Sequence, residues 1–149
     1  MRTVYAYYDP EADIAWLPTS TAVSGVVSEE IEWGLIDHDA VTDKVVAIEI
    51  WAASKRLPRA LLDALPGPRK SPEYARSTML LHYDPEVDIA LISFEKARAV
   101  SEEYPWGLID RDPDTGRLMG FEIWKASSVL PAEMIDALPR SGKPHNVVA

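Results

Sequence analysis

Two glutamates lie in the middle of apolar segments, where a carboxylate must be solvated, paired or protonated. Glu49 precedes Trp51 by two residues, and Glu122 precedes Trp124 in the same way. Two carboxylates that are brought together can separate their pKa values and serve as acid and base. A glutamate that faces solvent or pairs across strands is the commoner arrangement, because Glu is seldom buried without a partner. Under either interpretation, these four side chains are candidates for contact with a ligand or partner.

Two further tryptophans stand just before strand-like segments. Trp33 and Trp106 each follow an acidic run. We expect their large rings to pack at the rim of a core. They join the candidates for ligand or partner contact.

Two acidic clusters, each with three carboxylates within five residues, resemble cation sites at first sight: Asp9, Glu11 and Asp13, and Asp84, Glu86 and Asp88. A calcium site needs six to eight oxygens from a loop that folds around the ion. Both clusters lie in short Asp-Pro segments, which favour tight turns. The sequence from Asp112 to Gly116 resembles the start of a calcium loop, but Ile123 stands where that loop needs Glu. We therefore predict structural turns and no metal.

No other residue pattern indicates catalysis or a cofactor. The three histidines, His38, His82 and His145, are far apart in sequence, and the chain has no cysteine. Thiol catalysis and thiolate metal sites are therefore excluded. The chain also lacks a glycine-rich phosphate loop and a nucleophile elbow. We predict no catalytic residue and no cofactor.

The charge and hydropathy of the chain limit its partners. The net charge of −9 is spread over both halves, so the surface should repel phosphate backbones and nucleic acid is not expected as a partner. No apolar run approaches the roughly 18 residues that a membrane-spanning helix needs. The N-terminus lacks the pattern of a signal peptide. We predict a cytoplasmic protein that acts away from the membrane.

The sequence contains an internal duplication. Residues 8–15 recur as residues 83–90, and over residues 28–66 the second copy is identical at 21 of 39 positions. Repetition of this extent indicates a repeated structural unit. We predict a first repeat at 1–66, a linker at 67–73, a second repeat at 74–139 and a flexible tail at 140–149. One repeat buries little surface by itself, so the two repeats should form one compact domain.

Each repeat is predicted to contain four strands followed by a short helix. In the first copy the strands cover 4–8, 14–17, 33–37 and 45–51, and the helix starts near Pro58. The last strand alternates, with Val46, Ile48 and Ile50 on the face that should take the helix. Its other face carries Glu49 and Trp51 beside the small Ala47, which corresponds to Gly120 in the second copy. The expected fold is α+β, with two antiparallel four-stranded units packed as a pseudo-twofold pair.

These landmarks together resemble a known family. Residues 8–13, 34–37, 48–50 and 53–57, with their second-copy counterparts, are similar to DUF2283, a family of small bacterial domains of unknown function. The resemblance implies a small α+β domain with an antiparallel sheet, usually present once per chain, and implies no catalytic residues. Family members are sometimes encoded beside small toxin-like proteins, which suggests an antitoxin-like role. This chain departs from the family by its duplication and by Trp51 and Trp124.

Two functions from different classes follow from these patterns. The first is a non-enzymatic module that binds another protein or forms a homo-oligomer, as an antitoxin-like protein does. The alternative is a small-molecule binder or hydrolase that uses Glu49, Glu122 and the tryptophans between the repeats.

Overall fold

The computed structural model describes residues 4–21, 23–68, 74, 78–93 and 99–140. They form two five-stranded antiparallel sheets, each followed by short helices, so the class is α+β. Most of the predicted linker and all but Arg140 of the predicted tail lie outside the described residues, as does His145. Among the described residues, no helix has the length and apolar character needed to cross a membrane.

The first sheet has the strand order β1-β2-β5-β4-β3. Its strands are β1 (Tyr7–Asp9), β2 (Ile14–Pro18), β3 (Val26–Ile31), β4 (Gly34–Asp39) and β5 (Val45–Trp51). A 3₁₀ turn at Ala53–Lys55 and helix α1 at Arg59–Ala64 follow the sheet.

The second sheet repeats this order as β6-β7-β10-β9-β8. Its strands are β6 (His82–Asp84), β7 (Ile89–Ser93), β8 (Val100–Tyr104), β9 (Gly107–Arg111) and β10 (Leu118–Trp124). Helices α2 (Ala126–Val129) and α3 (Ala132–Ala137) follow. The chain is therefore built from two similar units.

The predicted number of strands is wrong, because each unit has five strands instead of four. The missed strands, β3 and β8, lie at sheet edges and pair on one side only, with β4 and β9. Residues such as Val26 and Val100 are both 53% exposed there. An edge strand with two exposed faces has no buried face to impose alternation of apolar and polar residues. The hydrophobic pattern therefore gave no signal for these strands.

The central strand and the helix start agree with the sequence-based expectations. Strand β5 covers Val45–Trp51, as predicted, and Pro58 immediately precedes α1. Proline suits the start of a helix, because the first N–H groups have no acceptor within the helix. The N–H that proline lacks therefore costs no helical hydrogen bond. In β5, Ile48 and Ile50 are fully buried.

One apolar core contains residues from both units. Ile48 and Ile50 of the first sheet belong to the same cluster as Phe121 and Ile123 of the second. The leucines of α1 and of the residues beside it join the same cluster: Leu57, Leu61, Leu62 and Leu65. Burial of large apolar side chains stabilises by about 1.5–3 kcal/mol each, so neither sheet owes its stability to its own residues alone.

Polar contacts also connect the two units. The N–H of Met79 donates to the carbonyl of Val4 at 2.8 Å, and the N–H of Leu81 donates to that of Pro18 at 2.8 Å. Within the second unit, the buried N–H of Leu118 donates to the hydroxyl oxygen of Tyr74 at 2.8 Å. These bonds satisfy backbone groups that the sheets leave without a strand partner.

Candidate functional site

The acidic turns have a structural role in both units. Asp13 has left-handed backbone (φ 59°), and its carboxylate accepts hydrogen bonds from the Tyr8 hydroxyl at 2.7 Å and the Ser54 hydroxyl at 2.7 Å. The Ser54 N–H donates to the same carboxylate at 2.9 Å. The hydrogen bond from Tyr8, followed by those from Ser54, lowers the pKa of Asp13. Asp13 thereby ties the β1–β2 turn to the segment that follows β5.

Asp88 makes the equivalent contacts in the second unit. It accepts from the Tyr83 hydroxyl at 2.6 Å, the Ser127 hydroxyl at 2.6 Å and the Ser127 N–H at 2.9 Å. Asp9 and Asp84 in turn accept backbone N–H groups of their own turns. The turn interpretation of both acidic clusters agrees with these contacts. Among the described residues, no group of three or more His, Cys, Asp or Glu side chains could hold a metal ion.

The candidate glutamates pair with the tryptophans beside them. The indole Nε1–H of Trp51 donates to Glu49 Oε2 at 2.9 Å, and that of Trp124 donates to Glu122 Oε1 at 3.0 Å. All four side chains are half-buried. Each carboxylate is thus oriented by its own indole, and the two units present the same pair.

Aromatic and aliphatic side chains surround Glu49. Strand pairing places Glu49 opposite Trp16 on β2 and opposite Leu35 on β4. Tyr7 pairs with Trp16, and their rings stack with their centroids 5.5 Å apart. Burial raises the pKa of Tyr7, and the charge of Glu49 raises it further. The Tyr7 hydroxyl therefore stays protonated. We call Tyr7, Trp16, Leu35, Glu49 and Trp51 the first outer patch.

The second sheet carries a corresponding surface. Glu122 pairs with Leu91 on β7 and with Leu108 on β9, and His82 pairs with Leu91. All of these side chains are half-buried. We call His82, Leu91, Leu108, Glu122 and Trp124 the second outer patch. It has the same carboxylate and indole, but it has His82 and Leu91 where the first outer patch has Tyr7 and Trp16.

The outer patches lie on the sheet faces opposite the common core. Side chains alternate between the faces of a strand, and Ile48 and Ile50, on either side of Glu49, belong to the core. The sequence-based hypothesis placed both glutamates between the repeats. The geometry instead joins each glutamate to an indole within its own sheet. The reason is that the purely apolar face of each strand is the one that the other unit covers.

The remaining two candidate tryptophans have different surroundings. Trp33 is only 4% exposed, and its indole donates to Glu133 Oε1 of α3 at 3.0 Å. Trp106 is half-buried, and its ring stacks on that of Tyr104 with the centroids 5.2 Å apart. Trp33 therefore lies in the core, not at its rim, and it links the first sheet to the second unit.

The small residues beside the glutamates are covered. Ala47 is 3% exposed and Gly120 is buried. We expect Gly120→Leu to destabilise the protein by about 1–3 kcal/mol, because a long side chain overpacks a filled site. Urea unfolding measures this change, with Val100→Leu on an exposed strand as the control. A neutral or stabilised Gly120→Leu protein would mean that the site is open.

Sequence reasoning missed one buried carboxylate. Asp39 is 3% exposed. It accepts hydrogen bonds from the N–H groups of Ser24, Val41 and Thr42 and from the Thr42 hydroxyl. These bonds, that from Ser24 first, hold the pKa of Asp39 well below its usual range. The repeated Asp at position 112, which also accepts N–H groups of its turn, was the sequence signal that could have revealed it.

We expect Asp39 to make the stability of the protein sensitive to acid. A carboxyl group with a lowered folded-state pKa stabilises above its unfolded pKa of about 3.9, and that stabilisation is lost as the pH falls below it. Asp39→Asn should therefore reduce stability more at neutral pH than at about pH 3. Urea unfolding at both pH values tests this. An equal loss at both would show that the charge of Asp39 has no part in stability.

Comparison with known proteins gives one partial match. The sequence model of DUF2283, described as a protein of unknown function, matches residues 81–127. This segment covers β6 to β10 and the start of α2. The second unit is thus similar to that family over its whole sheet. No curated protein and no solved structure matches the chain.

Proposed function

We propose that this protein is a non-enzymatic interaction module that docks a protein partner on its outer patches. The observation that carries the proposal is the repeated, half-buried Glu–Trp pair set among apolar side chains on both sheets. Protein interfaces are enriched in aromatic anchors, and a few of them carry most of the binding energy. An indole that holds its neighbouring carboxylate in one position is an anchor with little entropy left to lose.

The contacts between the units support a pseudo-twofold arrangement of the two patches. Met79 stands at the position of the second unit that corresponds to Val4, and the two residues are joined by a backbone hydrogen bond. The corresponding segments that follow the two sheets also meet. They line one depression, with Lys55 and Arg56 from the first unit and Leu130 from the second. We infer that the outer patches are related by this approximate symmetry. Such a module suits a partner with two equivalent surfaces, or a second copy of the same chain.

We also propose that the first unit is a second, divergent copy of the matched domain. Its strand order equals that of the second unit, and Asp13 reproduces the contacts of Asp88. Members of this family are sometimes encoded beside small toxin-like proteins, which suggests that the partner is such a protein. An antitoxin-like role is then one form of the interaction that we propose.

Affinity capture from the source organism tests the docking surface. We expect the wild-type protein to retain a partner that is lost with Trp51→Ala and Trp124→Ala together, because truncation of an interface anchor removes 2 kcal/mol or more, roughly thirtyfold in affinity. Val41→Ala is the matched control, because Val41 is 77% exposed and belongs to neither patch. Equal capture by both variants, or no partner above background, would overturn the proposal.

A second candidate function is a small-molecule site at the second outer patch. A shallow depression of about 280 Å³ is lined by Glu122, Asp84 and three aliphatic side chains, Val87, Ile89 and Leu91. Apolar walls with a few polar groups are the usual composition of ligand sites. A thermal-shift screen of metabolites should then find a ligand whose effect disappears in Glu122→Gln but persists in Glu86→Gln. A screen in which both variants respond alike would exclude this site.

A further inference from the structure

A groove lies where the second unit packs against the edge of the first sheet. Its floor is apolar and consists of Ile31, Ile36 and Val45, and helix α3, which includes Ala137, forms one wall. Three carboxylates stand on its rim, Glu29, Glu133 and Asp136, and the cavity volume is about 410 Å³. We call this surface the acidic groove. It is separate from both outer patches, so each proposal can fail without the other.

Both carboxylates on α3 are exposed. Glu133 accepts the hydrogen bond of the Trp33 indole at 3.0 Å, and this bond lowers the pKa of Glu133. On the opposite rim, Glu29 accepts from His38 Nε2 at 2.9 Å. His38 also lines this rim and is the basic partner of Glu29, so the negative charge beside the apolar floor comes chiefly from Glu133 and Asp136.

The corresponding groove of the second unit contains arginines from the chain itself. It is lined by Ala64, Leu118 and Tyr74 together with Arg111 and Arg117, and it has a volume of about 630 Å³. Arg111 stands in the sequence where the first unit has His38, and Arg117 stands where it has Lys44. The same location thus carries the carboxylates of Glu133 and Asp136 with an imidazole in one unit, and two guanidinium groups in the other.

The arginines of the second groove show how such a site holds a cation. Arg111 Nε donates to Glu102, the counterpart of Glu29, at 3.0 Å. The guanidinium of Arg117 lies over the Tyr74 ring, 5.4 Å from its centroid. Arginine combines an aliphatic stem that covers apolar surface with a head that pairs with carboxylates. The acidic groove has the floor for the stem and, in Glu133 and Asp136, the carboxylates for the head.

We propose that the acidic groove binds a basic, amphipathic segment of a protein partner through its arginine or lysine side chains. Charge complementarity selects this occupant, because the chain has a net charge of −9 and the rim is acidic. A nucleic acid would be repelled. A second copy of this chain is disfavoured because it carries the same net charge of −9.

A titration with a designed peptide tests this proposal on the full-length protein. The probe is a short peptide in which arginine alternates with leucine, and its control has citrulline, which is neutral and of similar shape, in place of arginine. We expect saturable binding of the arginine peptide with NMR shifts at Ile36, Val45 and Ala137, and binding roughly tenfold weaker for the citrulline peptide. Binding should also weaken with added salt.

Protein variants locate the site. Glu133→Gln with Asp136→Asn removes two charges and leaves an acceptor for the Trp33 indole, and we expect roughly tenfold weaker binding. Asp63→Asn is the matched control, because Asp63 holds the corresponding place on α1 and is exposed; it should bind as wild type does. The proposal is overturned by absence of saturable binding, by equal affinity of all three proteins, or by self-association of the chain that the double variant abolishes.

Discussion

Replacement of Gly34 by alanine should abolish the folded state or cost more than about 3 kcal/mol. A Cβ atom at Gly34 would lie 1.9 Å from the carbonyl oxygen of Glu49 and 3.0 Å from its carbonyl carbon. Both atoms belong to the backbone of the central strand, so no side-chain rotation can relieve the clash. The carbonyl of Trp33 meanwhile accepts the N–H of Trp51 at 2.9 Å, which holds the two strands together at this point.

The second unit offers an independent repetition of this test. A Cβ atom at Gly107 would lie 1.9 Å from the carbonyl oxygen of Glu122, and the residue has a φ of +155°. Gly25→Ala is the control, because its Cβ would meet only the Ala40 side chain, at 3.6 Å. The control should be neutral or gain about 0.4–1 kcal/mol from the reduced entropy of the unfolded chain. Thermal and urea unfolding distinguish these results; a Gly34→Ala protein as stable as wild type would contradict the close approach.

Phe121→Ala should cost about 3–5 kcal/mol, because the change leaves a cavity in a packed core. Phe121 is 1% exposed and belongs to the cluster that also contains Ile48 and Ile50 of the first sheet. We therefore expect the loss of stability to extend to both units. Hydrogen exchange measured by mass spectrometry should show reduced protection in β4 and β5 as well as in β9 and β10.

The matched control for this prediction is Val87→Ala. Val87 is 58% exposed in the second unit, so its truncation should change stability by less than about 0.5 kcal/mol. If Phe121→Ala weakened protection in the second unit alone, the two sheets would be independent folding units. A single transition that involves both would agree with the common core.

The strands with one buried face were predictable from the sequence. In β5 the alternation of Ile48 and Ile50 with Glu49 determined the strand, its limits and its two faces, because a strand has a period of two. The prediction for Val46 is wrong, because a register shift between β4 and β5 makes Val45, and not Val46, pack against the common core. The edge strands β3 and β8 were not predictable in this way. Glu29 and Glu30 are both exposed, so burial placed no periodic constraint on their strand.

The candidate site was predictable in its residues but not in its position. The sequence identified Glu49 and Glu122 as carboxylates that need a partner, since desolvation of a charge is costly. The partner of each proved to be the indole two residues further along the same strand. That contact depends on side-chain rotamers, which the residue types alone do not specify.

By itself, the sequence determined that two similar units follow one another and that each central strand has an apolar face and a mixed face. These properties are local, because they depend on the residues of one strand and on its period. Only the tertiary structure decided which face the other unit covers and which surfaces stay outside. Trp33 and Glu133 are 100 residues apart, and contacts over such distances depend on how whole sheets and helices pack. The acidic groove arises from such packing, because its floor and its wall come from different units.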